Sequence, residues 1–149
     1  MKINRPSASR IKEKHRTRKA THSLAPKKIQ FKKSLEDSIK KELRKKLDFL
    51  VKEIDREGEH VVRTKTLDSL HKYKKLVQNF LAMAVKNSYL LSEKINLNPR
   101  GKQNILILVE KIDSSLEELM QMVVDKEVDN LNLLEKVGEI RGMLIDTYS

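Results

Sequence analysis

The stretch NILILVEKIDSSLEELMQMVV, Asn104 to Val124, decides the fold. Ile105, Leu108, Val109, Ile112, Leu116, Leu119, Met120 and Val123 recur at steps of three and four, which places them on one stripe of an α-helix. Leu106 and Val124 widen the stripe at its ends, and only Ile107 lies on the far side. So broad an apolar face needs several neighbours, because each Å² left in water forfeits about 25 cal/mol. The spacing therefore predicts the central helix of a bundle.

Working outward, the sequence after this helix runs out near Asp125 to Asp129, and Asp129 or Asn130 can cap a last helix. On it Leu131, Leu134, Val137, Ile140, Arg141, Leu144, Ile145 and Tyr148 are expected on the inner side or its border. Gly138 and Gly142 sit one turn apart, and two mid-helix glycines cost ~1 kcal/mol each relative to Ala. Close approach of another helix is the expected reason for them, ahead of a hinge. Before the central helix, Asn96-Leu97-Asn98-Pro99-Arg100-Gly101 combines helix-breaking residues in one loop. A helix with Leu67, Leu70, Tyr73, Leu76, Val77, Phe80, Leu81 and Ala84 on a wide apolar face precedes it, capped by Thr64 or Thr66. Earlier still, Ser34 can cap a first helix in which Leu35, Ile39, Leu43, Leu47, Leu50 and Ile54 step by three or four, ending or bending at Gly58. Its Asp37–Lys41, Glu42–Lys46 and Asp48–Lys52 spacings read as acid-before-base pairs on a solvated face.

The fold class expected is thus all-α: one bundle of four main helices, with room for a short fifth, over residues 34 to 149. The whole chain is 149 residues with four Gly and three Pro, which suits helices and one domain's core. It contains no cysteine, which removes disulfides and thiolate chemistry and suits a reducing cytoplasm. Its longest apolar run is Ile105 to Val109, far below the ~20 residues of a membrane span. The N-terminus lacks the apolar core of a secretory signal and, although basic like a transit peptide, has no clear apolar face.

The net charge of +11 is concentrated in the first 33 residues, which carry 12 Lys or Arg and one Glu. Residues 34 to 149 balance at 20 basic and 20 acidic side chains, divided as +6 before residue 105 and −6 after it. The first segment buries too little apolar surface to offset its ordering entropy, so it is expected to be a disordered basic arm. Lys2, Arg5, Arg10, Lys12, Lys14, Arg16, Arg18, Lys19, Lys27, Lys28, Lys32 and Lys33 are its candidate nucleic-acid-binding residues. Phe31 alone is available for base stacking, which points to binding without sequence preference. An acidic membrane surface attracts the same charge, but the arm has little apolar area to insert.

Several separated segments together resemble the YaaR family of bacterial proteins, a domain of unknown function. They are Glu53-Ile54-Asp55 with Gly58-Glu59, Arg63-Thr64-Lys65-Thr66, Tyr73-Lys74-Lys75-Leu76-Val77-Gln78-Asn79-Phe80-Leu81, Asn98-Pro99-Arg100-Gly101, Asp125-Lys126-Glu127 and Gly138-Glu139-Ile140-Arg141-Gly142. The opening Met1-Lys2-Ile3-Asn4 is similar too. The resemblance implies an all-helical bundle and brings no activity, ligand or catalytic residue. Within the matching segments Arg63, Tyr73, Lys74 and Arg100 are candidate contacts for a protein partner.

Catalytic patterns are thin. Glu57 with His60 and Asp68 with His71 repeat the acid-x-x-His spacing of di-iron bundles, yet the last two helices offer no inward Glu to complete a site. No nucleophile elbow, Walker or dinucleotide glycine pattern occurs. Met83, Met120, Met122 and Met143 are expected to fill core gaps. No enzyme, metal or cofactor is expected. The sequence favours a cytoplasmic binding protein whose arm engages nucleic acid, with the alternative that the polarised bundle binds a protein and the arm only solubilises it.

Overall fold

The computed structural model describes the backbone of residues 4–91 and 100–149 and the side chains of residues 26–91 and 104–149. Helix α1 spans Asn4–Thr64, α2 Leu67–Lys86, α3 Ser88–Leu91, α4 Arg100–Val124 and α5 Asn130–Asp146, with no strand among the described residues. The chain divides into two compact units, Met1–Ile39 and Lys40–Ser149.

The first unit is a single stretch of α1. Its described side chains, residues 26–39, are all exposed, Ile29, Phe31, Leu35 and Ile39 among them. The basic arm expected over residues 1–33 therefore adds no described side chain to the core, although its backbone from Asn4 follows α1. With no second element in the unit to pack on, such a helix rests on local propensity alone, which is marginal in water. Pro26 inside it removes one more backbone hydrogen bond. Ser34 caps nothing: it lies within α1, and its carbonyl accepts the Ser38 hydroxyl at 3.1 Å. Leu35 and Ile39, expected on the first buried face, stay outside it, and the buried register begins at Leu43.

The second unit is the bundle. From residue 40 onward α1 packs against α2 and α5, while α4 packs against α2, α3 and α5. Leu43, Leu47, Val51, Ile54, Val61 and Val62 line α1; Leu70, Tyr73, Val77, Phe80, Leu81 and Ala84 line α2. Ile105, Ile112, Leu116, Leu119 and Val123 form the inner stripe of α4, much as its spacing predicts. Leu106, Met120 and Val124 are exposed, so the stripe is narrower than expected. Leu67 is also exposed, at the first position of α2. Met83, Met122 and Met143 pack partly buried against the core, whereas Met120 does not.

Two glycine readings change places. Helix α1 does not end at Gly58 but runs on to Thr64, burying Val61 and Val62. A Cβ on Gly58 would meet Val137 Cγ1 at 2.7 Å and the Tyr73 ring at 3.3 Å, so α1, α2 and α5 converge where no side chain fits. Gly138 and Gly142, expected at a close helix contact, have nothing within 4 Å of a built Cβ. The reason is the phase of α5, whose buried residues are Leu133, Val137, Ile140 and Leu144, with Leu131 and Leu134 exposed. The row through Leu131, Leu134, Gly138 and Arg141 would bury less apolar area than this uninterrupted one.

Short connections hold the helices in place. Lys65 takes φ 52° in the α1–α2 turn, and Thr66 caps α2 by accepting the Ser69 N–H at 3.3 Å. The hydroxyls of Thr64 and Thr66 lie 3.0 and 2.9 Å from that of Ser69, which itself donates to the Thr66 carbonyl at 2.9 Å. Lys65 Nζ reaches across to the Val128 carbonyl at 3.2 Å, joining this turn to the α4–α5 connection. Asp129 takes the cap position of α5 by backbone alone. The loop at 96–99 lies outside the described residues, and Arg100 and Gly101, expected in that loop, already belong to α4.

Candidate functional site

Helical spacing places Lys28 and Lys32 one turn apart on the face of α1 that also carries Leu35, with Lys27 and Lys33 to either side. All four lysines are exposed, and none has an ion-pair partner among the described residues. The side chains of Lys2, Arg5, Arg10, Lys12, Lys14, Arg16, Arg18 and Lys19 lie outside the described residues.

The four candidate partner contacts do not form one surface. Tyr73 is fully buried, its ring against Gly58, and its hydroxyl has no hydrogen-bond partner. Burial, with the nearby Asp55 charge adding to it, raises its phenol well above the ordinary tyrosine value. Tyr73 is a packing residue, so its place in the matching segments is explained by the core. Arg63 is exposed near the end of α1, Lys74 is half-buried on α2, and the Arg100 side chain lies outside the described residues.

Where the +6 and −6 halves meet, the minority charges do the pairing. Arg141 donates to Asp55 at 3.0 Å, and the Tyr148 hydroxyl donates to Asp48 at 2.5 Å. Tyr148 is raised above the ordinary tyrosine value, first by burial and then by that hydrogen bond and the Asp48 charge. Lys136 bridges Glu118 and Glu139, and both bonds hold its ammonium above the usual lysine range. Among the described residues the spaced pairs Asp37–Lys41, Glu42–Lys46 and Asp48–Lys52 do not close to ion-pair distance. An exposed pair gains only about 0.3–0.5 kcal/mol, which the entropy of two long side chains readily cancels.

His60 Nδ1 lies 3.7 Å from Glu57, without a hydrogen bond. No group of three or more His, Asp or Glu converges among the described residues. Ser115 is buried and Ser114 exposed.

Two surfaces escape a reading by helical stripe. The first is a groove of about 340 Å³ between α1 and α2, lined by Lys45, Lys46, Phe49, Leu50 and Met83. Phe49 is 61% exposed at its wall, and its mismatch with the α1 stripe was the one visible signal of it in the sequence. The second is the outer face of α5, where Leu131, Leu134, Gly138 and Gly142 follow at steps of three and four. A more polar depression of about 410 Å³ lies between α4 and α5, lined by Glu118, Gln121, Met122, Asp125, Val128 and Lys136.

The family described as "Protein of unknown function (DUF327)" matches the chain over residues 3–148. The "Uncharacterized protein YaaR" of Bacillus subtilis (strain 168) is 29% identical over 149 residues, the full length of both chains. Among solved structures, the uncharacterized protein BH1478 from Bacillus halodurans superposes with TM-score 0.71 at 33% identity, covering 78% of this chain and 96% of its own. A designed protein, described as granulopoietic and made by topological rescaffolding, superposes with TM-score 0.66 at 27% identity over 74% of this chain and 94% of its own. Among the described residues no helix is long and apolar enough to cross a membrane.

Proposed function

Because the chain belongs to the bacterial YaaR family, the family of unknown function DUF327, which supplies a fold and no reaction, we propose that it is a non-enzymatic binding protein of the cytoplasm whose basic N-terminal arm binds nucleic acid. The observation that carries this reading is the separation of charge: all of the +11 excess lies in residues 1–33, on a segment whose described side chains are exposed. Twelve cations on such a segment displace condensed counterions from a phosphate backbone, and the affinity this gives is insensitive to sequence. If six to ten phosphates are engaged, binding weakens by about 10³–10⁵-fold between 50 and 200 mM salt.

The exposed Phe49 groove and the leucines of α5 favour a second activity, contact of the bundle with a protein. In the pure form of that reading the arm only solubilises. Binding of the full chain, and of a chain lacking residues 1–33, to fluorescent duplex DNA and single-stranded RNA across a salt series separates the two. Binding by the full chain with a steep salt slope, abolished by the deletion, is the expected result. No binding near physiological salt overturns the nucleic-acid reading and leaves the bundle as the working surface.

A further inference from the structure

The α5 face and the α1–α2 groove both belong to the unit Lys40–Ser149, and they are complementary in two independent respects. The first is charge. Lys45 and Lys46 rim the groove, whose lining holds no acid. Glu135 and Asp146 flank the α5 face on one side, Glu135 one turn beyond Leu131 and Asp146 one turn beyond Gly142, while Arg141, on its other border, is paired with Asp55. Lys45, Lys46, Glu135 and Asp146 are exposed and have no ion-pair partner among the described residues. The second is shape. Phe49 stands exposed beside the groove, whereas Gly138 and Gly142 leave a gap in the side-chain layer of α5, with nothing within 4 Å of a Cβ built on either. Leu131 and Leu134, 60% and 48% exposed, extend that recess with apolar surface.

We infer that the outer face of α5 in one copy seats in the α1–α2 groove of a second copy of this chain. Phe49 enters the recess over Gly138 and Gly142, and Lys45 and Lys46 meet Glu135 and Asp146. Two glycines that have no packing role within one chain then have one between chains. The contact joins two different surfaces of the same protein, so it propagates from copy to copy unless rotation closes it. No residue before Lys45 takes part, so the contact stands or falls apart from the nucleic-acid arm.

Sedimentation equilibrium of the full chain over a range of concentrations and salt tests this. The expected weight-average mass exceeds that of one chain and rises with concentration. Gly142→Leu fills the recess from open space, so the helix content and the unfolding midpoint hold or rise while association weakens by at least about tenfold. Lys45→Glu with Lys46→Glu weakens it comparably, and adding Glu135→Lys with Asp146→Lys restores it. A single-chain mass at every concentration overturns the inference. So does association that ignores both the glycine and the charge variants, which assigns the contact to another surface. Binding of an acidic peptide to the groove, with the chain itself monomeric, also overturns it and gives the groove to a different protein.

Discussion

At the scale of single residues, two pairs of identical substitutions have opposite outcomes because their surroundings differ. Gly58→Ala forces a methyl against Val137 Cγ1 at 2.7 Å, in a core whose β-branched neighbour has little room to yield. It is expected to cost about 1–3 kcal/mol by urea unfolding. Gly138→Ala meets nothing within 4 Å and gains about 0.5–1 kcal/mol through helix propensity, read by the same curve. Tyr73→Phe deletes a buried hydroxyl that has no partner, so stability holds or rises. Tyr148→Phe deletes a donor to the Asp48 carboxylate and costs about 1.5–3 kcal/mol. The two phenols also set a pH dependence. Both are raised in the folded state, so above the ordinary tyrosine value of 10.0 the unfolded chain loses protons that the folded chain keeps. Stability is therefore flat below that pH and falls above it, by about 1.4 kcal/mol per pH unit for each phenol. Tyrosinate absorbance measured on a Tyr89→Phe background, developing only together with unfolding, is the expected result, and early titration of Tyr73 and Tyr148 would contradict their burial.

At the scale of helices, the inner faces of α2 and α4 were legible in the sequence because each offers one dominant apolar row. Tyr73, Val77, Phe80 and Ala84 leave no rival phase, and neither do Ile112, Leu116, Leu119 and Val123. Helix α5 offers two, since Leu131, Leu133 and Leu134 all open it, and only the partners of α5 decide between the rows. Gly58 misled for a related reason. Within one helix a glycine signals a break, and its use as a point of convergence depends on Tyr73 and Val137, which are remote in sequence. Capping was legible where a real helix start coincided with a capping residue, at Thr66, and misread at Ser34, where the helix does not start. Thr66→Ala is accordingly expected to lower stability by about 1 kcal/mol, while Ser34→Ala leaves it within about 0.5 kcal/mol. Equal effects from the two would mean that α1 has a start near Ser34 after all. The candidate partner residues divide along the same line: pattern alone placed Tyr73 on an apolar face, and its burial removes it from any surface.

At the scale of the molecule, charge and core are assigned to different parts of the chain. Removing residues 1–33 takes away 12 basic and one acidic residue and leaves 20 of each, so the shortened chain has no net charge at pH 7. The described side chains it removes, residues 26–33, are exposed, and the bundle core begins at Leu43. The unfolding free energy of the remaining chain is therefore expected to match that of the full chain within about 0.5 kcal/mol, the usual range for surface changes. Solubility is expected to respond in the other direction. A chain near zero net charge has lost the mutual repulsion that keeps copies apart, so precipitation at low salt should set in at lower concentration. The same loss favours the α5-to-groove contact, because the arms no longer repel while Lys45, Lys46, Glu135 and Asp146 are all retained. Sedimentation of the shortened chain should thus show stronger self-association than the full chain at low salt, with the two converging as salt rises. A shortened chain that unfolds at markedly lower urea would show instead that residues 1–33 support the bundle, and the division of labour between arm and core would be wrong.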